Sequence, residues 1–167
     1  MKLEFVQILK EDKSHCEVIK KLWAQFITEL NENREKKTNE VDMIKGLELR
    51  IGIQGIREDM HFEICYLNDI PIGFSNYAVD IGGIKGVIDP GYGFIMGFYI
   101  HKNYRRQGIG KEMVYHIKNT LKNHNVKNIY TCPSPIIGEE FWKAMGFKDS
   151  NKIDPDDKLP IYISEIE

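Results

Sequence analysis

The most informative segment of the sequence is FYIHKNYRRQGIGKEMV, which runs from Phe98 to Val114. It begins with apolar residues typical of a buried strand, turns polar at His101, and then continues into a pattern typical of an amphipathic helix. Gly108 and Gly110 lie where the helix begins, so backbone N–H groups are open to a ligand there. Because a helix N-terminus carries partial positive charge, the segment predicts a phosphate-binding junction between a strand and a helix.

Three cations, Arg105, Arg106 and Lys111, lie in the same junction. The helix dipole disfavours cations at this end, so their presence indicates a bound anion. Pyrophosphate is the ligand we expect. A Walker A loop is excluded because Arg105 stands where that motif needs glycine. A dinucleotide fingerprint is excluded because Met113 stands where its third glycine would be.

Hydrophobic periodicity on both sides of this segment predicts the remaining elements. The order is β-α-α-β-β-β-α-β-α-β-β, and Ser14 with Glu17 predicts a capping box at the start of the first helix. A tight hairpin is expected at 68–71. We therefore predict an α/β (α+β) fold in one domain spanning 1–167, with a mixed, mainly antiparallel sheet of six to seven strands flanked by helices.

The pattern R-x-x-G-x-G at 105–110 resembles the acyl-coenzyme-A-binding motif of the GNAT N-acetyltransferases. The stretch EFWKAMGF at 140–147 is similar to the aromatic-rich last helix of that family, which ends in Gly-Phe. The element order is similar from about residue 3 to 149. The resemblance implies a GNAT-like acyltransferase that moves an acetyl group from acetyl-CoA to a primary amine of a small molecule or peptide, by direct attack.

The resemblance also implies a coenzyme site. Backbone groups of Phe98 and Ile100 would pair with the pantetheine arm, and a strand N–H near Tyr99 would polarise the thioester carbonyl. Amides from Arg106 to Gly110, with Lys111, would hold the pyrophosphate. The full implied set is Phe98, Tyr99, Ile100, Arg105, Arg106, Gln107, Gly108, Ile109, Gly110, Lys111 and Trp142. The strand at 126–132 would splay from Phe98–Ile100, and Pro133 and Pro135 are compatible with that opening.

Catalytic groups are less defined by the sequence. Trp142 stands where many members of the family have a tyrosine, Pro135 where many have an asparagine, and Met96 or Gly97 where some have a carboxylate base. Candidate acids or bases are Tyr99, Tyr130 and Glu63, with Asp80, Asp89 and water as further proton acceptors. The alternative is a non-catalytic acyl-CoA-binding sensor or regulatory module of the same fold. Cys132 is expected to be a buried strand-end residue rather than a nucleophile.

Composition sets the remaining expectations. The net charge is −2, which argues against nucleic acid as a partner. The three cysteines are widely separated, which predicts no metal site and fits a reducing, cytoplasmic compartment. No signal peptide or membrane anchor is expected. The identity of the amine stays open, and the sheet edges or final strands would allow a homodimer.

Overall fold

Helices cover both faces of one mixed sheet in this computed structural model, which describes residues 1–134 and 136–167. The strands in this part of the chain are β1 Leu3–Gln7, β2 Met60–Leu67, β3 Ile70–Asp80, β4 Tyr92–Ile100, β5 Asn128–Thr131, β6 Lys148–Ile153 and β7 Pro160–Glu165. The helices are α1 Lys13–Glu32, α2 Glu40–Gly52, α3 Ile109–Lys122 and α4 Gly138–Ala144, and a single 3₁₀ turn covers Lys102–Tyr104.

The seven strands within the described residues lie in the order β1-β2-β3-β4-β5-β7-β6. The β4–β5 pair is parallel, and the other neighbouring pairs are antiparallel. The predicted fold class, the sheet type and the order of elements along the chain are therefore confirmed.

Local sequence accounts for the tightest connection but not for the first cap. The β2–β3 hairpin turns at Asn68 and Asp69, whose φ angles of 49° and 64° are those that a two-residue hairpin loop requires. The capping box predicted at Ser14 is wrong. Asp12 caps α1 instead, and its carboxylate accepts a hydrogen bond from the backbone N–H of His15 at 3.2 Å.

Each face of the sheet buries its own core. On one face, α3 buries an apolar stripe that includes Met113, Ile117 and Leu121, as its four-residue periodicity predicts. On the other face, α1 buries Trp23 and Phe26 against Phe62 and Phe74 of the sheet, among others. None of the helices in the described part of the chain is both long and apolar enough to cross a membrane.

Candidate active site

The loop before α3 presents an uncapped helix start. Gly108 occupies the N-cap position with φ of 83°, and no side chain among the described residues caps the helix. Arg106 is also left-handed, with φ of 60°, an uncommon conformation for a residue with a side chain. Left-handed residues of this kind are typical of loops whose successive backbone N–H groups converge on an anion. A Cβ placed on Gly108 would meet no atom of the described residues within 4 Å, its chain neighbours aside, so the space beside this glycine is open.

Gly110 is required for a different reason. A Cβ at this position would come within 2.7 Å of Cε2 of Phe141, which lies on α4. The ring of Phe141 therefore packs directly on the first turn of α3. It also contacts the rings of Phe98 and Trp142, with centroids 5.5 and 5.0 Å away. The two glycines of the motif thus serve separate purposes, because one opens the loop and the other admits α4.

Strands β4 and β5 separate halfway along β4. In the described strands they pair from Gly93 with Ile129 to Ile95 with Thr131, after which β5 ends and β4 runs on to Ile100. Asn76 of β3 pairs with Gly97 and the next residue pairs with Ile95, so Met96 is a β-bulge at the point of separation. The second half of β4 thus has a partner on the β3 side, and the described strands supply none on the other.

Alternation along β4 decides which backbone groups face the open side. The amide of His101 donates to the carbonyl oxygen of Ile72 at 2.8 Å, on the β3 side. Since successive residues of a strand point their backbone groups in opposite directions, those of Phe98 and Ile100 face the gap. The carbonyl oxygen of Ile100 accepts a hydrogen bond from Nε of Arg105 at 2.7 Å. The backbone of Phe98 and the amide of Ile100 are left for an extended ligand.

Two cavities flank this gap. A small one, of about 40 Å³, lies between the separating strands and is lined by Phe26, Gly97, Phe98, Thr131, Cys132 and Trp142, among others. We call it the slot. A larger one, of about 380 Å³, is lined by the end of β3, by Phe94 and Met96 of β4, by β5 and by the β6–β7 loop. We call it the outer cavity. Met96 lines both of them, so the bulge residue stands between the two.

Acidic groups predominate in the outer cavity. Asp80, Asp154 and Asp156 line it, and Arg57 is its one cation among the described residues. Nε of Arg57 lies 2.7 Å from Oδ1 of Asp59, so its charge is already paired. The wall of the cavity is therefore suited to positively charged ligands.

The sequence matches the model of the acetyltransferase (GNAT) family over residues 19–147. The chain belongs to the GNAT family. A search of curated protein sequences finds no match. Solved structures that share the fold include a GNAT acetyltransferase from Staphylococcus aureus Mu50, with a TM-score of 0.67 and 16% identity over 99% of this chain and 100% of that chain. The PaiA N-acetyltransferase of Thermoplasma acidophilum, in complex with coenzyme A, has a TM-score of 0.65 and 16% identity over 99% of both chains.

A third solved structure is AAC(6')-Iy in complex with the bisubstrate analogue CoA-S-monomethyl-acetylneamine. It has a TM-score of 0.65 and 15% identity over 92% of this chain and 96% of that chain. Identities this low establish a shared fold and not a shared substrate. The resemblance that the motif at 105–110 predicted is confirmed at the level of the family and its fold.

The three acid–base candidates lie in different parts of this GNAT fold. Glu63 is on the α3 face, where its carboxylate accepts hydrogen bonds from Nε2 of His116 at 2.8 Å and from the hydroxyl of Tyr77 at 3.0 Å. Burial alone would raise the pKa of Glu63, but hydrogen bonds from His116 and His61, and their charges, lower it to about 2. A carboxylate held ionised in this way is a poor base, and it lines neither cavity.

Tyr99 and Tyr130 both donate their phenolic protons to a carboxylate. The hydroxyl of Tyr99 bonds to Oε1 of Glu29 at 2.8 Å, on the α1 face. The hydroxyl of Tyr130 bonds to Oδ2 of Asp80 at 2.8 Å, at the wall of the outer cavity. Burial and these hydrogen bonds raise the pKa of both phenols. Of the three candidates, Tyr130 is the one that lines the outer cavity.

The remaining predicted residues are divided between solvent and the core. Arg106, Gln107 and Lys111 are exposed around the open loop. Trp142 is buried against Phe98 and Phe147, and it also lines the slot. Pro135 lies outside the described residues. In the described part of the chain, no group of three or more His, Cys, Asp and Glu side chains is arranged to hold a metal.

Sequence reasoning missed two parts of the site. Glu29 pairs with both Tyr99 and Arg105, and its one signal in the sequence is its place three residues after Phe26 on the apolar side of α1. The β6–β7 loop brings Asp154 and Asp156 to the outer cavity from a segment without a periodic pattern. Only the fold of the last two strands brings that loop beside β5.

Proposed function

We propose that this GNAT protein transfers an acetyl group from acetyl-CoA to a primary amine of a small molecule or peptide, by direct attack of the amine on the thioester. The observation that carries the proposal is the gap between β4 and β5 beside the uncapped start of α3. The amides from Arg106 to Gly110, with Lys111, would bind the pyrophosphate. The backbone of Phe98 and the amide of Ile100 would bind the pantetheine arm in the manner of a strand.

The amine would approach from the outer cavity. Met96 lines both cavities, so a thioester in the slot would meet an amine at this bulge. The acidic wall favours protonated amines, and a relative of this fold binds an analogue that joins coenzyme A to an acetylated neamine. Aminoglycosides therefore belong with polyamines, amino acids and peptides among the acceptors to be tested.

In the transfer, a bond forms between the amine nitrogen and the thioester carbonyl carbon, and the bond between that carbon and sulfur breaks. A protonated amine loses two protons in all, one before it attacks and one as the amide forms. One proton reaches the departing coenzyme thiolate through water, and the other passes to solvent. Asp80 and Tyr130 form the proton-accepting pair that the geometry supports best, because both line the outer cavity and they share a hydrogen bond of 2.8 Å. Asp80 is the acceptor, and its carboxylate is oriented by Tyr130 on Oδ2 and by the backbone N–H of Gly83, which donates to Oδ1 at 2.8 Å.

The test is release of the coenzyme thiol from acetyl-CoA across a panel of amines. We expect turnover with at least one cationic amine, and a loss of roughly a hundredfold in kcat for Asp80→Asn. Asp89→Asn is the matched control, because Asp89 is an exposed carboxylate in the β3–β4 loop, which Asp80 precedes, and it does not line the outer cavity. It should retain full activity.

Binding of coenzyme A without thiol release above background for any amine would contradict turnover. That outcome would favour the non-catalytic acyl-CoA-binding module, for which Met96 at the position of a carboxylate and the engaged side chains of Tyr99 and Glu63 already argue. Failure to bind coenzyme A would contradict both functions.

A further inference from the structure

Arg105 is tied to two elements outside its own loop. Its Nε donates to the carbonyl oxygen of Ile100 at the end of β4, at 2.7 Å. Its Nη2 lies 2.5 Å from Oε2 of Glu29 on α1. The guanidinium fork therefore spans from the central strand to the opposite helical layer. A planar fork with two fixed acceptors holds its own backbone in a narrow range of positions.

Glu29 is engaged on both of its oxygens. Oε2 accepts from Arg105, and Oε1 accepts from the hydroxyl of Tyr99 at 2.8 Å. The side chain of Glu29 is 19% exposed and that of Arg105 is 28% exposed, so water screens the pair only in part. The guanidinium also lies 5.7 Å from the centre of the Tyr99 ring, on its face. The charge of Arg105 is thereby neutralised within the protein rather than offered to a phosphate.

The ion pair of Arg105 with Glu29 lies next to the loop amides in the chain. Arg105 directly precedes Arg106, whose left-handed conformation begins the run of open amides that ends at the first turn of α3. The other hydrogen bonds of this loop among the described residues are local. For example, the amide of Arg105 donates to the carbonyl oxygen of Lys102 at 3.4 Å, and Nε2 of Gln107 to that of Asn103 at 3.1 Å. Fixing Arg105 therefore fixes the start of the amide run.

We propose that Glu29 is a positioning residue for the coenzyme loop, acting through Arg105. It holds the amides from Arg106 to Gly110 in the conformation that binds the pyrophosphate. The inference rests on the proposed function, in that it takes this loop as the coenzyme site. It adds a helix from the opposite side of the sheet to the determinants of coenzyme affinity, and the same helix lines the slot through Phe26.

The dissociation constant for coenzyme A, measured by calorimetry, tests this. We expect Glu29→Gln to raise it roughly tenfold, since Arg105 would lose a charged anchor while the phenol of Tyr99 keeps an acceptor. In steady-state assays the KM for acetyl-CoA should rise, whereas the KM for the amine should not. Glu32→Gln is the control, because Glu32 is exposed on the same helix three residues away.

A double-mutant cycle separates positioning from a general loss of structure. If Glu29 acts through Arg105, then Glu29→Gln in an Arg105→Gln background should change the dissociation constant no further. Multiplication of the two single effects would overturn the proposal, and so would an unchanged constant in Glu29→Gln. If Glu29→Gln fails to fold, the same cycle is measured with Glu29→Asp and Arg105→Lys, which keep both charges and change the geometry of the pair. The same two results for the dissociation constant then support or overturn the proposal.

The outcomes also separate this proposal from the proposed function. Wild-type protein that does not bind coenzyme A overturns both of them. Wild-type protein that binds it, with Glu29→Gln equal to wild type, overturns the positioning role alone.

Discussion

The carboxylate of Glu63 on β2 and the imidazole of His116 on α3 join the sheet to its covering helix through a hydrogen bond of 2.8 Å. The side chain of Glu63 is 8% exposed, and the ring of His116 stacks on Phe5 of β1 with centroids 3.8 Å apart. Nδ1 of His61 lies 3.5 Å from the other oxygen of Glu63. The pair is thus the centre of a polar network inside an otherwise apolar layer.

Because of this network, the free energy of unfolding should decrease as the pH falls below the ordinary pKa of a glutamate. The pKa of Glu63 is about 2 in the folded chain against an ordinary value of 4.5. A lowered pKa contributes stability that is present above the ordinary value and is lost as the pH falls toward 2, about 3 kcal/mol in all. We expect Glu63→Gln to be less stable than wild type at pH 7 and to lose less stability between pH 4.5 and 2. Urea unfolding across that range measures this.

The exposed Glu48 on α2 provides the comparison for that experiment. Glu48→Gln should follow the wild-type curve. If Glu63→Gln also follows it throughout, the buried carboxylate does not stabilise the fold.

Replacing Gly108 should separate coenzyme binding from folding. A valine there would extend into the open space beside Gly108 and obstruct close approach of the pyrophosphate to the loop, so we expect the dissociation constant for coenzyme A to rise by roughly tenfold or more. Gly55→Val matches the backbone strain, because Gly55 has φ of 85° against 83° for Gly108. Both variants should lose about 1–2 kcal/mol of stability, and only Gly108→Val should lose affinity. Equal affinity in the two variants would exclude this loop as the coenzyme site.

Replacing Gly110 should instead weaken the packing of α4. An alanine Cβ would lie 2.7 Å from the ring of Phe141, which costs about 1–3 kcal/mol in a packed site. Thermal unfolding of Gly110→Ala should show this loss, and the loss should shrink in a Phe141→Leu background. Gly52→Ala is the control, since a Cβ at that helical position meets no atom of the described part of the chain within 4 Å. An undiminished loss in the Phe141→Leu background would mean that the collision lies elsewhere.

Cys132 should behave as an unreactive thiol. Burial, with the charges of Asp154 and Asp157, raises its pKa from 9.0 to about 12, so its thiolate population is roughly a thousandfold lower than that of an ordinary cysteine. In folded protein we expect slow alkylation of Cys132 by iodoacetamide, followed by peptide mass spectrometry, and fast alkylation in urea. We also expect no acetyl group on Cys132 after incubation with acetyl-CoA alone. An acetylated Cys132 would indicate an acyl relay in place of direct attack.

The sequence was sufficient for the fold because its elements carry strong local signals. The four-residue period of α3 and the turn at Asn68 and Asp69 depend on neighbours in the chain alone. The α1 cap was missed because Asp12 and Ser14 are both good caps, and the sequence does not show that Asp12 also pairs with Nδ1 of His15, 2.8 Å from its Oδ2.

The site was less predictable because its side chains form hydrogen bonds with residues that are distant in the sequence. The motif placed Arg105 among phosphate contacts, yet Glu29, 76 residues earlier, takes up its charge. Tyr130 and Asp80 are 50 residues apart and meet only when β5 lies beside β4. Pattern reading names the residues of such a pair, but only the folded chain shows which of them are already engaged.

Because β4 pairs with β5 over three residues only, the second half of β4 has backbone groups inside the molecule that no described strand pairs with. Amide protons of Phe98 and Ile100 should exchange with solvent far faster than those of Gly97 and Tyr99, although all four belong to one central strand. A ligand that adds itself to this edge would slow that exchange and raise the melting temperature in proportion to the logarithm of its concentration. The bound molecule would then pair with β4 as a further strand would, and slower hydrogen exchange at Phe98 and Ile100 would detect its binding.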